Sequence, residues 1–127
     1  KGINMKTGIL AIQSKTSPIL SKSFIITNPT NSASSALWKT PVAITIVGLH
    51  GVVLGGTNLV GMLTECDANG LNPVVVNSAD ITLLTSNVDM ITFSNPSIDA
   101  GDWVGWSTTS VSGAVTKAMI TFEYTIN

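Results

Sequence analysis

"AVTKAMITFEYTI", residues 114–126, sets the fold. From Thr116 on it alternates with a period of two. Thr116, Ala118, Ile120, Phe122, Tyr124 and Ile126 fall on one side, and Lys117, Thr121, Glu123 and Thr125 on the other, with Met119 the one apolar exception. Successive side chains of a strand point to opposite faces, so this pattern predicts a strand with one face on a core and a more polar face outward. Upstream the same kind of signal recurs. "SKSFIITN" (21–28), "ALWKTPVAITIVG" (36–48), "GVVLGG" (51–56), "NLVGMLTE" (58–65), "PVVV" (73–76), "DITLL" (80–84), "VDMITF" (88–93) and "DWVGWST" (102–108) are short runs rich in β-branched and aromatic residues. Asn28-Pro29, Asn72-Pro73, Asn95-Pro96 and Asn69-Gly70 supply turns between them. No amphipathic helix of useful length is present. Eight or so short strands with a turn about every 8–12 residues predict an all-β chain folded as an antiparallel β-sandwich. Beyond Pro41, Val42, Ile44 and Ile46 are expected on one face. "GVVLGG" and "PVVV" are apolar on both faces, which predicts cover from the second sheet on one side and from a neighbouring subunit on the other.

The composition limits what such a domain can do. The 127 residues correspond to one domain, large enough for a core without disulfide or metal staples. Charged residues make up 10% and hydrophobic residues 44%, with a mean hydropathy of +0.42. An average soluble domain carries roughly 25% charge. The surface must therefore rest on Ser, Thr and Asn, or the apolar excess must be hidden between subunits. A membrane span does not explain the hydropathy, because the most apolar stretch, 41–56, is interrupted by Pro41, Thr45, His50 and several glycines. No signal-peptide pattern opens the chain. Six lysines, no arginine and a net charge of −1 exclude the basic footprint of a nucleic-acid binder. Cys66 is the only cysteine, and the carboxylates of Glu65 and Asp67 beside it disfavour a thiolate. It is expected as a small, partly buried side chain at a strand end.

Residues 1–20 differ from the rest. They hold Lys1, Lys6 and Lys15, half of all the lysine, with no acid, and they end near Pro18. They read as a stalk or connector leading into a sandwich domain over 21–127. A first residue other than Met suggests a fragment or processed product.

In "IDAGDWVGW" (98–106), Asp99 to Asp102 form a turn and a strand follows. Val104 and Trp106 point one way and Trp103 the other, so the two indoles do not form a joint clamp. Trp106 is expected in the core. Trp103 is expected at a subunit contact, on the surface or under a loop, and Gly105 beside it would let another surface approach. The segment Ile98–Trp103, with Gly101-Asp102 leading a late strand, resembles the approach to the penultimate strand of C1q and tumour-necrosis-factor-like jelly rolls. Through Asn4, Met5 and Ile9, the N-terminal "INMKTGILAI" resembles the repeat units of bacteriophage tail-fibre shafts. Together they are similar to the terminal knob of a phage or virus fibre. That resemblance implies a jelly-roll-like sandwich, a homotrimer on an upstream fibre shaft, a place on the virion surface and attachment to a host-surface receptor, glycan or protein. The alternative is a capsid-decoration or trimerisation module with no receptor of its own.

Sites of chemistry are scarce. His50 is the sole histidine and is expected in a loop or at a strand end; three copies holding a metal on a threefold axis is the sharper but less favoured alternative. Asp67 and Asn69 begin like a calcium loop, but Asn72 and Ser78 stand where Gly and Glu are required, so a hairpin is predicted. No nucleophile elbow, paired carboxylates or phosphate loop can be read. Both Asn-x-Ser/Thr matches, at Asn28 and Asn95, are blocked by proline. No enzyme, cofactor or metal is expected. For a glycan, aromatic faces and amide and carboxylate groups at loop tips are the recognising groups. They single out Trp38, Trp103, Asp67, Asn69 and Asn72.

Overall fold

The computed structural model describes residues 17–127. The shaft-like residues Asn4, Met5 and Ile9, and the predicted stalk up to residue 16, lie outside the described residues. Ten strands and no helix are found among the described residues, so none is long and apolar enough to cross a membrane. The strands are β1 (Leu20–Thr27), β2 (Ala33–Lys39), β3 (Ile44–Leu54), β4 (Asn58–Cys66), β5 (Val74–Val75), β6 (Ile81–Leu83), β7 (Val88–Met90), β8 (Ser97–Ile98), β9 (Trp103–Ser112) and β10 (Lys117–Ile126). They form two five-stranded sheets. Sheet A runs β1-β10-β3-β7, with β8 also on β3; sheet B runs β2-β9-β4-β5, with β6 also on β4. Every pairing between strands is antiparallel. The chain passes repeatedly from one sheet to the other, which makes the sandwich jelly-roll-like.

β10 behaves as its alternation predicts. Ala118, Ile120, Phe122 and Tyr124 are buried between the sheets. Ile126, at the strand's end, is exposed, and Thr116 precedes the strand and bonds Leu54 O through its hydroxyl. Leu59, Leu63, Val104 and Trp106 face them from sheet B, and Ile44, Ile46, Leu49 and Val53 join them from β3, beside β10 in sheet A. Trp106 is 1% exposed and donates its indole N–H to Thr108 Oγ1 at 3.0 Å, so its one polar atom is satisfied in the core.

The central strands are longer than their glycines suggest. Gly48 and Gly51 do not end runs; they lie inside the eleven-residue β3, as Gly61 lies inside β4. Each makes room for a neighbour. A Cβ at Gly51 would stand 2.5 Å from Leu83 Cδ2, and one at Gly61 would stand 2.5 Å from the Trp106 ring and 2.6 Å from Ser107 O. The expected face of Val42, Ile44 and Ile46 is also corrected. Ile44 and Ile46 are buried, but Val42 precedes β3 and is 40% exposed. A bulge then adds Val47 against β10, where Glu123 pairs Gly48 and Tyr124 pairs Ile46. The extra residue reverses the side-chain parity, so the buried positions move to Leu49 and Val53.

The outer face of sheet A keeps an apolar strip. Ile25 on β1 lies opposite Met119 on β10, and Met119 opposite Val52 on β3. Leu54 lies two residues beyond Val52 on the same side. Ile25 is 62% and Leu54 50% exposed.

Candidate recognition end of the sandwich

β4 ends at Cys66 directly opposite Trp103, the first residue of β9. The chain then turns back through residues 67–73. Asp67 organises this loop. Its Oδ1 accepts the backbone N–H of Asn69 (2.9 Å) and of Leu71 (3.0 Å), and its Oδ2 accepts Asn72 Nδ2 (2.9 Å). Gly70 N–H donates to Asp67 O, and Gly70 takes the φ of +75° that this tight turn demands. These donors, first the Leu71 amide, hold the Asp67 carboxyl below the usual carboxylate range.

The loop lies over the outer face of sheet B. Trp103 Nε1 donates to Ala68 O at 3.2 Å, and the indole is half-buried beneath it. Of the settings expected for Trp103, the one under a loop is found. Gly105 does permit a close approach, by Thr64 and Cys66 of the same chain. A Cβ there would meet Ser35 O at 2.6 Å, Thr64 Oγ1 at 2.8 Å and Cys66 Sγ at 3.2 Å. Cys66 is accordingly a buried thiol at a strand end.

Trp103, Asp67, Asn69 and Asn72 are thus brought together, and Trp38 is not among them. Trp38 pairs with Val104 on the inner face of sheet B. Its ring centroid is 5.5 Å from that of Tyr124 and 6.0 Å from that of Phe122, with Lys22 Nζ 5.1 Å above it. It closes the seam between β1 and β2 as a half-buried core aromatic under a cation. Asp67 and Asn72 engage each other, so of the two amides the exposed Asn69 side chain is the one without a partner among the described residues.

Two acidic groupings escape the sequence. At the same end, Glu65, Asp99 and Asp102 bring carboxylate oxygens within 4.8 Å of one another, and Glu65 Oε2 accepts the Asp99 N–H at 3.0 Å. Burial, then the neighbouring carboxylates, push the Glu65 carboxyl above its usual range. The turn carrying Asp99 and Asp102 is fixed to the β2–β3 connection by Thr40 N–H to Asp102 O (3.0 Å) and Gly101 N–H to Thr40 O (2.8 Å). The chain positions of these acids predict no such pairing; it follows from Glu65 standing opposite Val104 in the sheet.

The second grouping corrects the placement of His50, which lies in the middle of β3 on the outer face of sheet A and not at a strand end. Its Nδ1 is 2.6 Å from Asp89 Oδ1 on β7 and its Nε2 is 2.9 Å from Glu123 Oε1 on β10. Hydrogen bonds to Asp89 and then to Glu123 raise its pKa above 6.5, and the same contact lowers that of Asp89. Among the described residues no pocket opens at either place. The loop end offers the half-buried Trp103 indole and the exposed Asn69 amide beside negative charge.

No protein-family model matches the chain. No curated protein matches it either. Several solved structures are similar to it at low identity. A chain of the acid-stable capsid of Helicobacter pylori bacteriophage KHP30 is similar at 10% identity over 87% of this chain and 90% of that one, with a TM-score of 0.46. The nucleoplasmin-like N-terminal domain of Drosophila FKBP39 is similar at 9% identity over 86% and 90%, with a TM-score of 0.44. A disulfide-linked pilus subunit of Bacillus endospore appendages is similar at 14% identity over 88% and 92%, with a TM-score of 0.41. At these identities and scores the likeness bears on no function.

Proposed function

We infer that this domain is a structural module displayed on a virion, a homotrimeric fibre tip whose loop end meets a host-surface receptor, with a glycan as the first candidate. The observation that carries the assembly is the apolar strip Ile25–Met119–Val52 with Leu54. It crosses three strands in register on the face turned away from the core. Such a strip on a domain with 10% charged residues is poorly suited to water, and further copies would cover it. The place on a fibre rests on the sequence resemblance of Asn4, Met5 and Ile9 and of Ile98–Trp103. For the receptor, the Trp103 surface and the free Asn69 amide supply the stacking and hydrogen-bonding groups that sugars require.

The test has two arms. Light scattering at micromolar concentration is expected to give three times the 13.2 kDa chain mass; a single 13.2 kDa particle would refute the assembly. Glycan-array binding is expected for the assembled domain and lost in Asn69→Ala and Trp103→Ala. Binding unchanged in both variants would remove the loop end as the site. A second reading, a capsid-decoration or trimerisation module without a receptor, gains from the loop's self-satisfaction. Asp67, Asn72 and the Trp103 N–H spend their hydrogen bonds within the chain. It predicts the same mass with no glycan bound.

A further inference from the structure

His50 is placed unlike an ordinary surface histidine. It projects from the centre of sheet A between a carboxylate on each neighbouring strand, Asp89 on β7 and Glu123 on β10. A carboxylate only accepts hydrogen bonds, and a neutral imidazole carries one N–H. Both contacts can be hydrogen bonds with both acids ionised only when both ring nitrogens are protonated. The trio is therefore built around an imidazolium.

What it holds is also unusual. β7 is three residues long and pairs with β3 only through Leu49–Met90, His50–Asp89 and Gly51–Val88. It forms one edge of sheet A and brings Val88 and Met90 against the core. So short a ladder contributes little by itself. The central pair of that ladder carries the His50–Asp89 contact, and Asn87 Nδ2, just before β7, donates to Asp89 Oδ1 at 2.7 Å.

We propose that His50, Asp89 and Glu123 form a proton-operated clamp that fastens β7 to sheet A. Among the described residues, no other charged group competes for His50. β1 presents Ser21 and Ser23 to this face, while Lys22 is turned inward over Trp38. β10 adds Thr121 directly opposite His50, with Lys117 far along the strand beside Leu54. β6 carries no charged side chain, Asp80 preceding it.

The working window follows from two titrations. The folded value of His50 is raised, so its contribution is complete below 6.5 and disappears as pH rises through the raised value. The proton then leaves to solvent, one donor is lost, and a carboxylate is left facing a bare ring nitrogen. The folded value of Asp89 is lowered, so its contribution holds above 3.8 and disappears as pH falls through the lowered value. The clamp is shut between the lowered value of Asp89 and the raised value of His50, and opens as pH rises through the latter.

The experiment is an NMR titration of the His50 ring in the intact domain, combined with amide hydrogen exchange. His50 is expected to titrate above 6.5, and lower in Asp89→Asn and in Glu123→Gln than in the native chain. Corrected for intrinsic exchange, protection of residues 88–90 should fall about threefold or more from about pH 6 to about pH 9, while residues 104–106 in sheet B keep theirs. In Asp89→Asn the pH dependence at 88–90 should vanish. The clamp is overturned if His50 titrates at or below 6.5, if Asp89→Asn leaves that pH dependence intact, or if protection is lost equally in both sheets.

Discussion

Gly61→Ala tests how the two sheets are fitted together. Gly61 is inward-facing in β4, and the Trp106 indole lies across it. The added methyl carbon would stand 2.5 Å and 2.8 Å from two ring carbons and 2.6 Å from Ser107 O. The indole could tilt, but it is hydrogen-bonded to Thr108, and the Ser107 carbonyl belongs to the backbone of the neighbouring strand. Overpacking of this kind costs about 2–3 kcal/mol. For a domain of this length that is a fall in Tm of about 8–12 °C. Trp106→Leu alone should cost about 3 kcal/mol through the space it leaves. The double variant should be less destabilised than the sum of the two by about 1 kcal/mol or more, because the Ala methyl occupies part of the vacated room. It should not recover fully, since the Ser107 contact remains. Urea unfolding followed by circular dichroism measures all three. Strict additivity, or a Gly61→Ala variant as stable as the native chain, would refute the close fit of Trp106 on Gly61.

Further predictions concern the loop end. Glu65→Gln should raise Tm at pH 7 by about 1 °C or more, because it removes a carboxylate that burial and Asp102 disfavour. The folded pKa of Glu65 is raised, so the gain should shrink as pH falls through that value and the native carboxyl becomes neutral; a gain that grows in acid would contradict the assignment. Asp67→Ala should speed exchange of the Asn69 and Leu71 amides and red-shift Trp103 emission, with the sheet amides unaffected. In the native chain the same loop should stay protected at neutral pH and loosen only below 3.8, as pH falls through the lowered value of Asp67. Loosening that begins well above 3.8 would show that another group holds the loop.

Much of the candidate site was legible locally. Asn69-Gly70 marks the turn, and alternation from Val104 to Trp106 separates the core indole from Trp103. The part that was not legible depends on strand register. His50 meets Asp89 and Glu123 across sequence separations of 39 and 73 residues, and Glu65 meets Asp99 across 34. Trp38 was singled out as an aromatic face for a glycan; whether it faced solvent or the seam depended on the bulge between Ala36 and Trp38 and on rings from sheet A. The mid-strand glycines were misjudged for a related reason. Glycine next to apolar residues reads as a boundary when the large side chain that needs its space comes from another strand.

Alone, the amino-acid order determined that the chain is all-β, that β10 has a core face and an outer face, that Trp106 is buried, and that charge is scarce. A strand's period of two depends on backbone geometry and nearest neighbours, so it is written in the chain itself. The tertiary structure alone decided which acids stand together, that His50 sits between two carboxylates, that the Asp67 loop closes over Trp103, and where the bulge in β3 reverses its buried positions. Those outcomes depend on which residue lies opposite which, and that is set only when two sheets pack and every strand takes its register.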